Sequence, residues 1–336
     1  MDYCSNIVST ALKDPFQVAS TRGGNVRELC DRAGIENQAL NGSVPLSKFV
    51  RFSEVAAEQL ALPDFGWLVG SRFNLANLGE VGKLCLEAPN LWAALSLFER
   101  AFAIVQSDSE LMLTIDGDEA VLSYRILDLS IWPRQQDAEL TMAVFASLVR
   151  YAAGNDRYPS SVSFEHGPSA IQRSLYAGPR CPVIFNSSVN QLRFPARLLG
   201  PPLQNPPINS FGAITAPFCS EAAQLGKMAP LEIRVQREIM RRLGHGDIDQ
   251  TDIAKSLGMS RRTLRRKLNE TQRPYSEILS ACKMQVATRL LSDCALSLPT
   301  IASNLGYSDT TAFERAFKQK KSITPAQYRR LNTQEE

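Results

Sequence analysis

Two short segments near the C-terminus concentrate side chains whose chemistry suits contact with nucleic acid. The first contributes Ser260, Arg261, Arg262, Thr263, Arg265 and Arg266, and the second contributes Ser308, Thr310, Thr311, Glu314, Arg315 and Lys318. A guanidinium group can donate two hydrogen bonds to O6 and N7 of one guanine, and a carboxylate can accept from N4 of cytosine. Hydroxyl groups and lysines suit phosphate oxygens. The two segments are therefore candidate surfaces for reading bases and for holding the DNA backbone.

The competing interpretation is that these charges form an ordinary solvated face, with each side chain touching only phosphate or solvent and Glu314 pairing with Arg315. The spacing of the apolar residues argues against it. Leu264 and Leu268 are four residues apart, as are Phe313 and Phe317, so each segment has one apolar helical stripe. The polar residues take the surface that remains. Because this arrangement occurs twice, DNA binding is favoured over an ordinary helical bundle.

Each segment follows a copy of one repeated pattern. The sequence Ile253-Ala254-x-x-Leu257-Gly258-x-Ser260 recurs 48 residues later as Ile301-Ala302-x-x-Leu305-Gly306-x-Ser308, after which the offset becomes 49. A branched pair packs one face of a short helix, and the glycine can end that helix in a left-handed conformation at little cost. Ser260 caps the next helix in the first copy, and Ser308 or Asp309 does so in the second. The pattern predicts two helix-turn-helix units, joined by a long helix at about residues 276–292.

The charge distribution separates the two ends of the chain. Residues 230–336 hold 19 Lys and Arg against 12 Asp and Glu, whereas residues 1–229 hold 18 against 22. A basic domain can neutralise phosphates and release counterions, and a mildly acidic one gains nothing near DNA. We therefore expect the DNA-binding function in the C-terminal third of the chain.

The C-terminal pattern resembles the DNA-binding domain of the AraC/XylS family of bacterial transcription regulators. Besides the two repeats, the match includes Tyr307-Ser308-Asp309, Phe313-x-Arg315-x-Phe317-Lys318 and Thr324-Pro325-x-x-Tyr328-Arg329. One departure is Ser322, where the family usually has glycine, and we expect a slightly different turn there.

This resemblance implies an all-α domain whose two recognition helices enter successive major-groove segments, about 34 Å apart. Arg262, Arg265 and Arg266 align with groove-facing positions of the first helix, and Thr310, Thr311 and Arg315 with those of the second. Lys318, Ser260, Thr263 and Ser308 are then expected on phosphates. The implied partners are double-stranded promoter DNA, RNA polymerase and a second copy of the chain in a homodimer.

The remaining two-thirds of the chain predicts a mixed α+β domain. Helices are expected at about 24–33, 46–60, 80–87, 90–106, 135–153 and 168–176, and strands at about 110–115, 119–127, 160–165 and 189–194. The strands at 110–115 and 119–127 flank Asp116-Gly117-Asp118, a good hairpin turn. We assign residues 1–205 to this domain, 206–229 to a linker and 230–336 to the DNA-binding domain. The proline-rich segment 200–207 marks the exit from the first domain, and a helix is expected in the linker, up to about residue 226.

This order resembles the arabinose-binding-type N-terminal domain of an AraC/XylS subgroup that includes ornithine-utilisation regulators. The supporting residues are Gly79-x-x-Gly82-x-x-x-x-x-Ala88-Pro89-x-Leu91-x-x-Ala94-Leu95, Phe164-x-His166, Cys181-Pro182-Val183-x-Phe185 and Leu192-x-Phe194-Pro195-x-x-x-Leu199-x-x-Pro202-Leu203. The resemblance implies a module that senses an effector and self-associates, with no implication that the effector is arabinose.

The effector and its pocket residues are not assigned by the sequence. Trp67, Trp92 and Trp132 are candidates for an apolar pocket, but large aromatic residues more often belong to a core. His166 is more often a hydrogen-bonded structural histidine than a ligand. Any of Arg125, Arg134 and Arg150 can meet a carboxylate, and nothing in the sequence selects one.

The composition argues against several other classes of protein. Seven scattered cysteines and two histidines, none at metal-ligand spacing, favour buried thiols in a reducing cytoplasm over a metal site, a cofactor or an enzyme. No apolar run is long enough for a membrane span, and the start is unlike a signal peptide. An alkyl-acceptor repair enzyme also carries an AraC-like domain, but it requires a reactive cysteine cluster. The alternative kept open is a regulator without a ligand, controlled by its abundance or by a protein partner.

Overall fold

The computed structural model describes residues 4–36, 42–128, 130–153, 159–168, 178–203, 210–243, 248–293 and 296–333. The chain divides into two compact units, Met1–Met228 and Ala229–Glu336. We call them the N-terminal unit and the C-terminal unit. Within the described residues the first combines helices with strands and the second is all helical, which confirms the predicted fold class.

The first part of the N-terminal unit is a helical layer with one small sheet. Strand β1 (Asn6–Val8) pairs antiparallel with β2 (Ser43–Pro45). The helices are α1 (Lys13–Thr21), α2 (Val26–Ala33), α3 (Leu46–Gln59), α4 (Phe65–Gly70), α5 (Gly79–Leu86) and α6 (Leu91–Val105). Asparagine side chains cap two of them, because Asn25 accepts from the Glu28 N–H and Asn90 from the Ala93 N–H.

A five-stranded sheet forms the second layer. Its strands are β3 (Ser109–Asp116), β4 (Glu119–Ile126), β5 (Ser161–Ser163), β6 (Val183–Ile184) and β7 (Asn190–Pro195), in the order β3-β4-β7-β5-β6. All neighbours are antiparallel except β5 and β6. The β3–β4 turn confirms the predicted hairpin, since Gly117 has a φ of 61°.

Helix α7 (Gln135–Ala152) runs through the core of this unit and is buried on nearly every side. It crosses α4 at backbone contact, because a Cβ on Gly66 or on Gly70 would lie 2.0 Å or 2.2 Å from a carbonyl oxygen of α7. Phe145 packs edge-on against Phe98 of α6 at 5.3 Å between ring centroids. The two glycines therefore determine how closely the two helices approach.

Two acidic side chains lie in this core at the start of α7. Burial raises the pKa of Asp137 to about 6, although the Tyr124 hydroxyl, which donates to it at 2.7 Å, and the nearby Arg134 partly offset the shift. Burial likewise raises the pKa of Glu54 to about 7, while its Oε1 accepts from the Gln136 N–H at 2.8 Å. Both carboxyl groups hold a proton to higher pH in the folded chain.

The span that we assign to a linker, 206–229, contains a helix of the N-terminal unit. Helix α8 (Phe211–Met228) packs along α6, and Cys219 joins the hydrophobic core. Its buried residues Thr215, Cys219 and Ala222 share one helix face. Much of the span is thus a packed element, and the two units meet in sequence at Met228 and Ala229.

The C-terminal unit consists of seven helices within its described residues. They are α9 (Leu231–Arg242), α10 (Gln250–Ser256), α11 (Arg261–Glu270), α12 (Tyr275–Asp293), α13 (Leu298–Asn304), α14 (Thr310–Lys321) and α15 (Pro325–Thr333). Helix α12 is the predicted connector, and it packs against α9 and α15. In neither unit do the described residues include a helix with the length and apolar character needed to cross a membrane.

In the C-terminal unit the sequence did not predict α9 and α15, which have 12 and 9 residues. In the N-terminal unit it did not predict β1, α1, β2, α4 and β6, which are short, and β6 has only two residues. Periodicity cannot identify segments of this length. The helix predicted at 168–176 lies almost entirely outside the described residues. The expectation of buried thiols is met by Cys30, Cys85, Cys219 and Cys282, but it is wrong for Cys4, which is exposed.

Candidate nucleic-acid interface

The first helix-turn-helix unit is built from α10 and α11. The Asp249 side chain caps α10 by accepting from the Thr251 N–H at 2.6 Å. After α10 the chain turns at Gly258, whose φ of +70° lies in the left-handed region, as predicted. Ser260 then caps α11, and its Oγ accepts from the Thr263 N–H at 3.1 Å. Leu264 and Leu268 are fully buried, so they hold α11 on the small core.

The opposite face of α11 is basic and exposed. Arg262 and Arg266 are four residues apart and lie on the side away from the buried leucines. Arg266 pairs with Glu270 of the same helix at 2.7 Å, an exposed contact that a phosphate or a base can replace at low cost. Arg265 flanks this face. Arg261 turns back, and its Nε donates to Gln250 of α10 at 3.4 Å.

The second unit repeats this construction with α13 and α14. Gly306 has a φ of +66°, again as predicted. Of the two alternatives for the cap, Asp309 is the capping residue, and its Oδ1 accepts from the Ala312 N–H at 2.7 Å. The Ser308 hydroxyl donates to the same carboxylate at 3.1 Å. The Ala312 N–H and then the Ser308 hydroxyl lower the pKa of Asp309, so the cap stays ionised at neutral pH.

This assignment shows where the repeat gains a residue. Ser260 and Asp309 are both N-cap residues and are 49 residues apart, whereas the turn glycines are 48 residues apart. The extra residue therefore lies within the second turn, between Gly306 and Asp309. Ser308 supports the cap instead of forming it, which corrects its equivalence with Ser260.

Helix α14 exposes the face that corresponds to that of α11. Phe313 and Phe317 are fully buried, and Arg315 lies between them in sequence, on the opposite side of the helix. Thr311 and Lys318 are exposed one turn before and one turn after Arg315. Thr310 and Glu314 are partly buried at the flanks, and the alternative ion pair between Glu314 and Arg315 does not form among the described residues.

Four aromatic rings fix α14 in place. Ring centroids are 5.6 Å apart between Tyr307 and Phe313, 5.8 Å between Phe313 and Phe317, and 5.6 Å between Phe317 and Tyr328. This chain of rings joins the turn before α14 to the helix that follows it. Pairs at such distances stabilise a core beyond the area that they bury.

Lys283 is a positioning residue that the sequence did not reveal. It lies on the connector α12, where its Nζ donates to the Gly306 carbonyl at 3.1 Å and lies 4.6 Å from the centre of the Tyr307 ring. The contact ties the connector to the second turn. A single lysine in a helix of mixed polarity carries no pattern, so only the folded chain identifies it.

Ser322 ends α14 in the conformation that glycine adopts most readily. Its φ is +64° and its N–H donates to the Lys318 carbonyl at 2.9 Å. Serine therefore takes at this position the left-handed conformation that glycine favours. That conformation costs an L-residue about 1–2 kcal/mol.

The N-terminal candidates have different environments. Trp92 and Trp132 are exposed, whereas Trp67 is buried beside α7 and meets Phe164 edge-on. His166 is buried, with Nδ1 3.1 Å from the Gly167 carbonyl oxygen and Nε2 3.5 Å from Glu139. Two of the candidate arginines share one buried partner, because Arg125 and Arg134 contact Glu165 at 3.1 Å and 2.9 Å. Their charges are offset within the core.

Known proteins resemble both units. Residues 23–203 match a family described as the arabinose-binding domain of AraC transcription regulator, N-terminal, and residues 253–331 match a helix-turn-helix domain. The transcriptional regulator VirS of Mycobacterium tuberculosis is 29% identical over 300 residues, which cover 88% of this chain and 87% of the relative.

The ornithine utilization regulator of Pseudomonas aeruginosa is 25% identical over 346 aligned positions and 98% of each chain. Among solved structures, the transcriptional regulator CdpR of Pseudomonas aeruginosa is similar over 91% of this chain and 96% of its own. Its TM-score is 0.42 and its sequence identity is 19%.

Proposed function

This chain belongs to the AraC family of DNA-binding transcription regulators, and we propose that α11 and α14 read two adjacent sub-sites of promoter DNA under the control of a small molecule bound to the N-terminal unit. The protein acts in the cytoplasm, where promoter DNA and RNA polymerase are its partners. It is a homodimer whose contact lies in the N-terminal unit, because two basic C-terminal units repel each other.

The observation that carries the DNA-reading proposal is the equivalence of two exposed helix faces. Arg262 and Arg266 of α11 correspond to Thr311 and Arg315 of α14, 49 residues later, each opposite a buried apolar pair. The 19-residue connector α12 is about 28 Å long. Successive major-groove segments on one side of DNA are about 34 Å apart. A long connector between the two units is consistent with each recognition helix meeting its own sub-site.

Within this scheme the polar residues divide between bases and backbone. Base contacts fall to Arg262, Arg265, Arg266, Thr310, Thr311 and Arg315, with Glu314 as a potential acceptor from cytosine N4. Phosphate contacts fall to Ser260, Arg261, Thr263, Ser308 and Lys318. The hydroxyls of Ser260 and Ser308 are engaged in capping. Their contribution to phosphate binding therefore includes the helix N-terminus that they organise.

Selection from random duplexes by the full chain tests the reading of two sub-sites. The wild type should enrich two blocks of preferred bases with centres about 10–11 base pairs apart. Arg262→Ala should lose preference in one block only, and Arg315→Ala in the other. Lys320→Ala, which removes a lysine from another side of α14, serves as the control and should leave both blocks unchanged. Enrichment of no sequence, or loss of both blocks by either variant, would contradict the proposal.

Control by a small molecule is supported by the separate core of the N-terminal unit and by its match to an arabinose-binding domain. DNA affinity of the full chain, measured with and without fractions of a bacterial metabolite extract, tests it. A change of affinity that follows one fraction supports the effector, whereas unchanged affinity in every fraction favours the ligand-independent alternative. Sedimentation of the full chain at micromolar concentration, with and without the metabolite fractions, tests the dimer. A monomer in both measurements would count against it.

A further inference from the structure

The N-terminal unit contains a cleft that has no part in the proposed DNA contacts. It lies beside the crossing of α4 and α7 and has a volume of about 580 Å³. Sites for small molecules commonly measure about 300–1,000 Å³. The cleft is thus large enough for a ligand of metabolite size.

The sequence explains why this space stays open. Helix α7 lines the cleft with Ala143, Ala146 and Ser147, whose small side chains share one helix face and cannot fill it. Gly66 and Gly70 let α4 and α7 cross at backbone contact beside the cleft. The Ser147 hydroxyl also donates to the Ser71 carbonyl at 3.4 Å, which bridges the helices at this point.

The lining has two distinct chemical parts. Among the described residues that line the cleft, four are arginines from separate segments of the chain, Arg22, Arg72, Arg150 and Arg180, and one, Asp64, is acidic. The apolar part includes Leu62, Trp67 and Leu68. A cleft whose charged residues are mostly of one sign concentrates counter-ions. Guanidinium groups match the two oxygens of a carboxylate or of a phosphate.

We propose that this cleft binds an anionic small molecule, which carries a carboxylate or a phosphate on an apolar body. The acidic group meets the arginines and the apolar body lies on the wall formed by Leu62, Trp67 and Leu68. The inference rests on the proposed function in one respect, since this ligand is the effector that the function requires. It identifies the class of ligand and the place where it binds.

Calorimetry on the full chain tests the site with four probes of one length: octanoate, octanedioate, octyl phosphate and the uncharged octanamide. The acids should bind and octanamide should not, and added salt should weaken the binding. Preference for octyl phosphate or for the carboxylates decides which acid the cleft takes. Replacing Arg22 and Arg72 together with glutamine should weaken the binding of the acids at least about ten-fold. Arg27→Gln, an exposed arginine of α2 outside the cleft, should change nothing.

A second variant keeps the test independent of charge. Ser147→Phe places a ring in the cleft and should abolish binding of all three acids, while thermal melting verifies that the chain is folded. The site is overturned if no acid binds at millimolar concentration, or if both variants bind the acids as the wild type does.

The two proposals can fail separately. Acids that bind through Arg22 and Arg72 without changing DNA affinity leave the cleft as an anion site and refute the effector role. A metabolite that changes DNA affinity, combined with no acid binding in the cleft, refutes the cleft and leaves the proposed function intact. DNA titration and calorimetry on the same preparation therefore distinguish them.

Discussion

Replacing Arg315 with alanine should remove the sequence preference of one of the two proposed sub-sites while leaving general affinity for DNA. Arg315 is exposed and lies two residues from each of the buried rings Phe313 and Phe317. Because each residue advances the helix by about 100°, this position is at the centre of the opposite face. A bidentate contact with guanine contributes about 1–3 kcal/mol of discrimination. The selected site should therefore bind about five- to 160-fold more weakly, and a scrambled duplex nearly unchanged.

Lys318→Ala is the informative comparison, because Lys318 lies one turn further along the same helix. A lysine on phosphate contributes equally to every sequence, so both duplexes should weaken alike. The slope of log K against log salt should fall by about 0.9. Lys320→Ala is the matched control for lost charge, since Lys320 is exposed but points to another side of the helix.

Fluorescence anisotropy with both duplexes at several salt concentrations measures all three variants. Three quantities distinguish base contact from phosphate contact: the ratio of the affinities for the selected and scrambled duplexes, the salt slope, and the affinity of the Lys320→Ala control. If Arg315→Ala weakened the selected and scrambled duplexes by the same factor, Arg315 would be a phosphate contact and the base-reading argument would be refuted. If Lys320→Ala lowered the DNA affinity and the salt slope as much as Lys318→Ala, the position of a lysine on the helix would not determine whether it contacts phosphate.

Three further predictions concern stability, each measured by unfolding of the full chain. In a double-mutant cycle, Phe317→Leu and Tyr328→Leu should couple by about 0.5–1.5 kcal/mol, because their rings are 5.6 Å apart; zero coupling would contradict this. Ser322→Gly should stabilise the C-terminal unit by about 0.5–1 kcal/mol, since relief of the left-handed strain exceeds the entropy that glycine adds to the unfolded chain; a lower melting temperature would refute it. Burial raises the pKa of Glu54 from 4.5 to about 7, so the folded state binds the extra proton and stability should fall as pH rises across that window. Glu54→Gln should reduce this fall, and an unchanged pH profile would contradict the assignment.

The sequence predicted the two helix-turn-helix units well because their structure depends on local signals. Glycines at positive φ, capping side chains and apolar pairs four residues apart each act within one or two helical turns. Their repetition made the inference stronger than any single motif. The sequence left two candidates for the second cap, because Ser308 and Asp309 are adjacent and both residue types are favoured at the N-cap position. Only hydrogen-bond geometry distinguishes them.

The N-terminal unit was predicted in its long elements and missed in its short ones. Helices α3, α6 and α7 and the β3–β4 hairpin have enough residues for a periodic pattern. Helix α4 has six residues, two of them the glycines that contact α7, so it is too short and too rich in glycine to show a helical pattern. Its existence depends on α7, which lies far along the chain. Tertiary packing determines such an element, and a local reading cannot detect it.

The arginine cleft is hidden for the same reason. Arg22, Arg72, Arg150 and Arg180 are separated by tens of residues, and only Arg150 was a candidate from the sequence. Arg125 and Arg134, the other two candidates, contact the buried Glu165 instead. Only the folded chain shows which arginines contact Glu165 and which line the cleft.

The two recognition helices share a framework but differ in what they present. At equivalent positions α11 carries Arg262 and Arg266, whereas α14 carries Thr311 and Arg315, and their cores are leucine and phenylalanine respectively. Under the proposed function, two identical helices would read two copies of one sub-site. Different side chains on a shared frame would instead fix the order of two different sub-sites, because exchanging the sub-sites costs the contacts of both. A fixed order of sub-sites would in turn set the orientation of the protein on DNA.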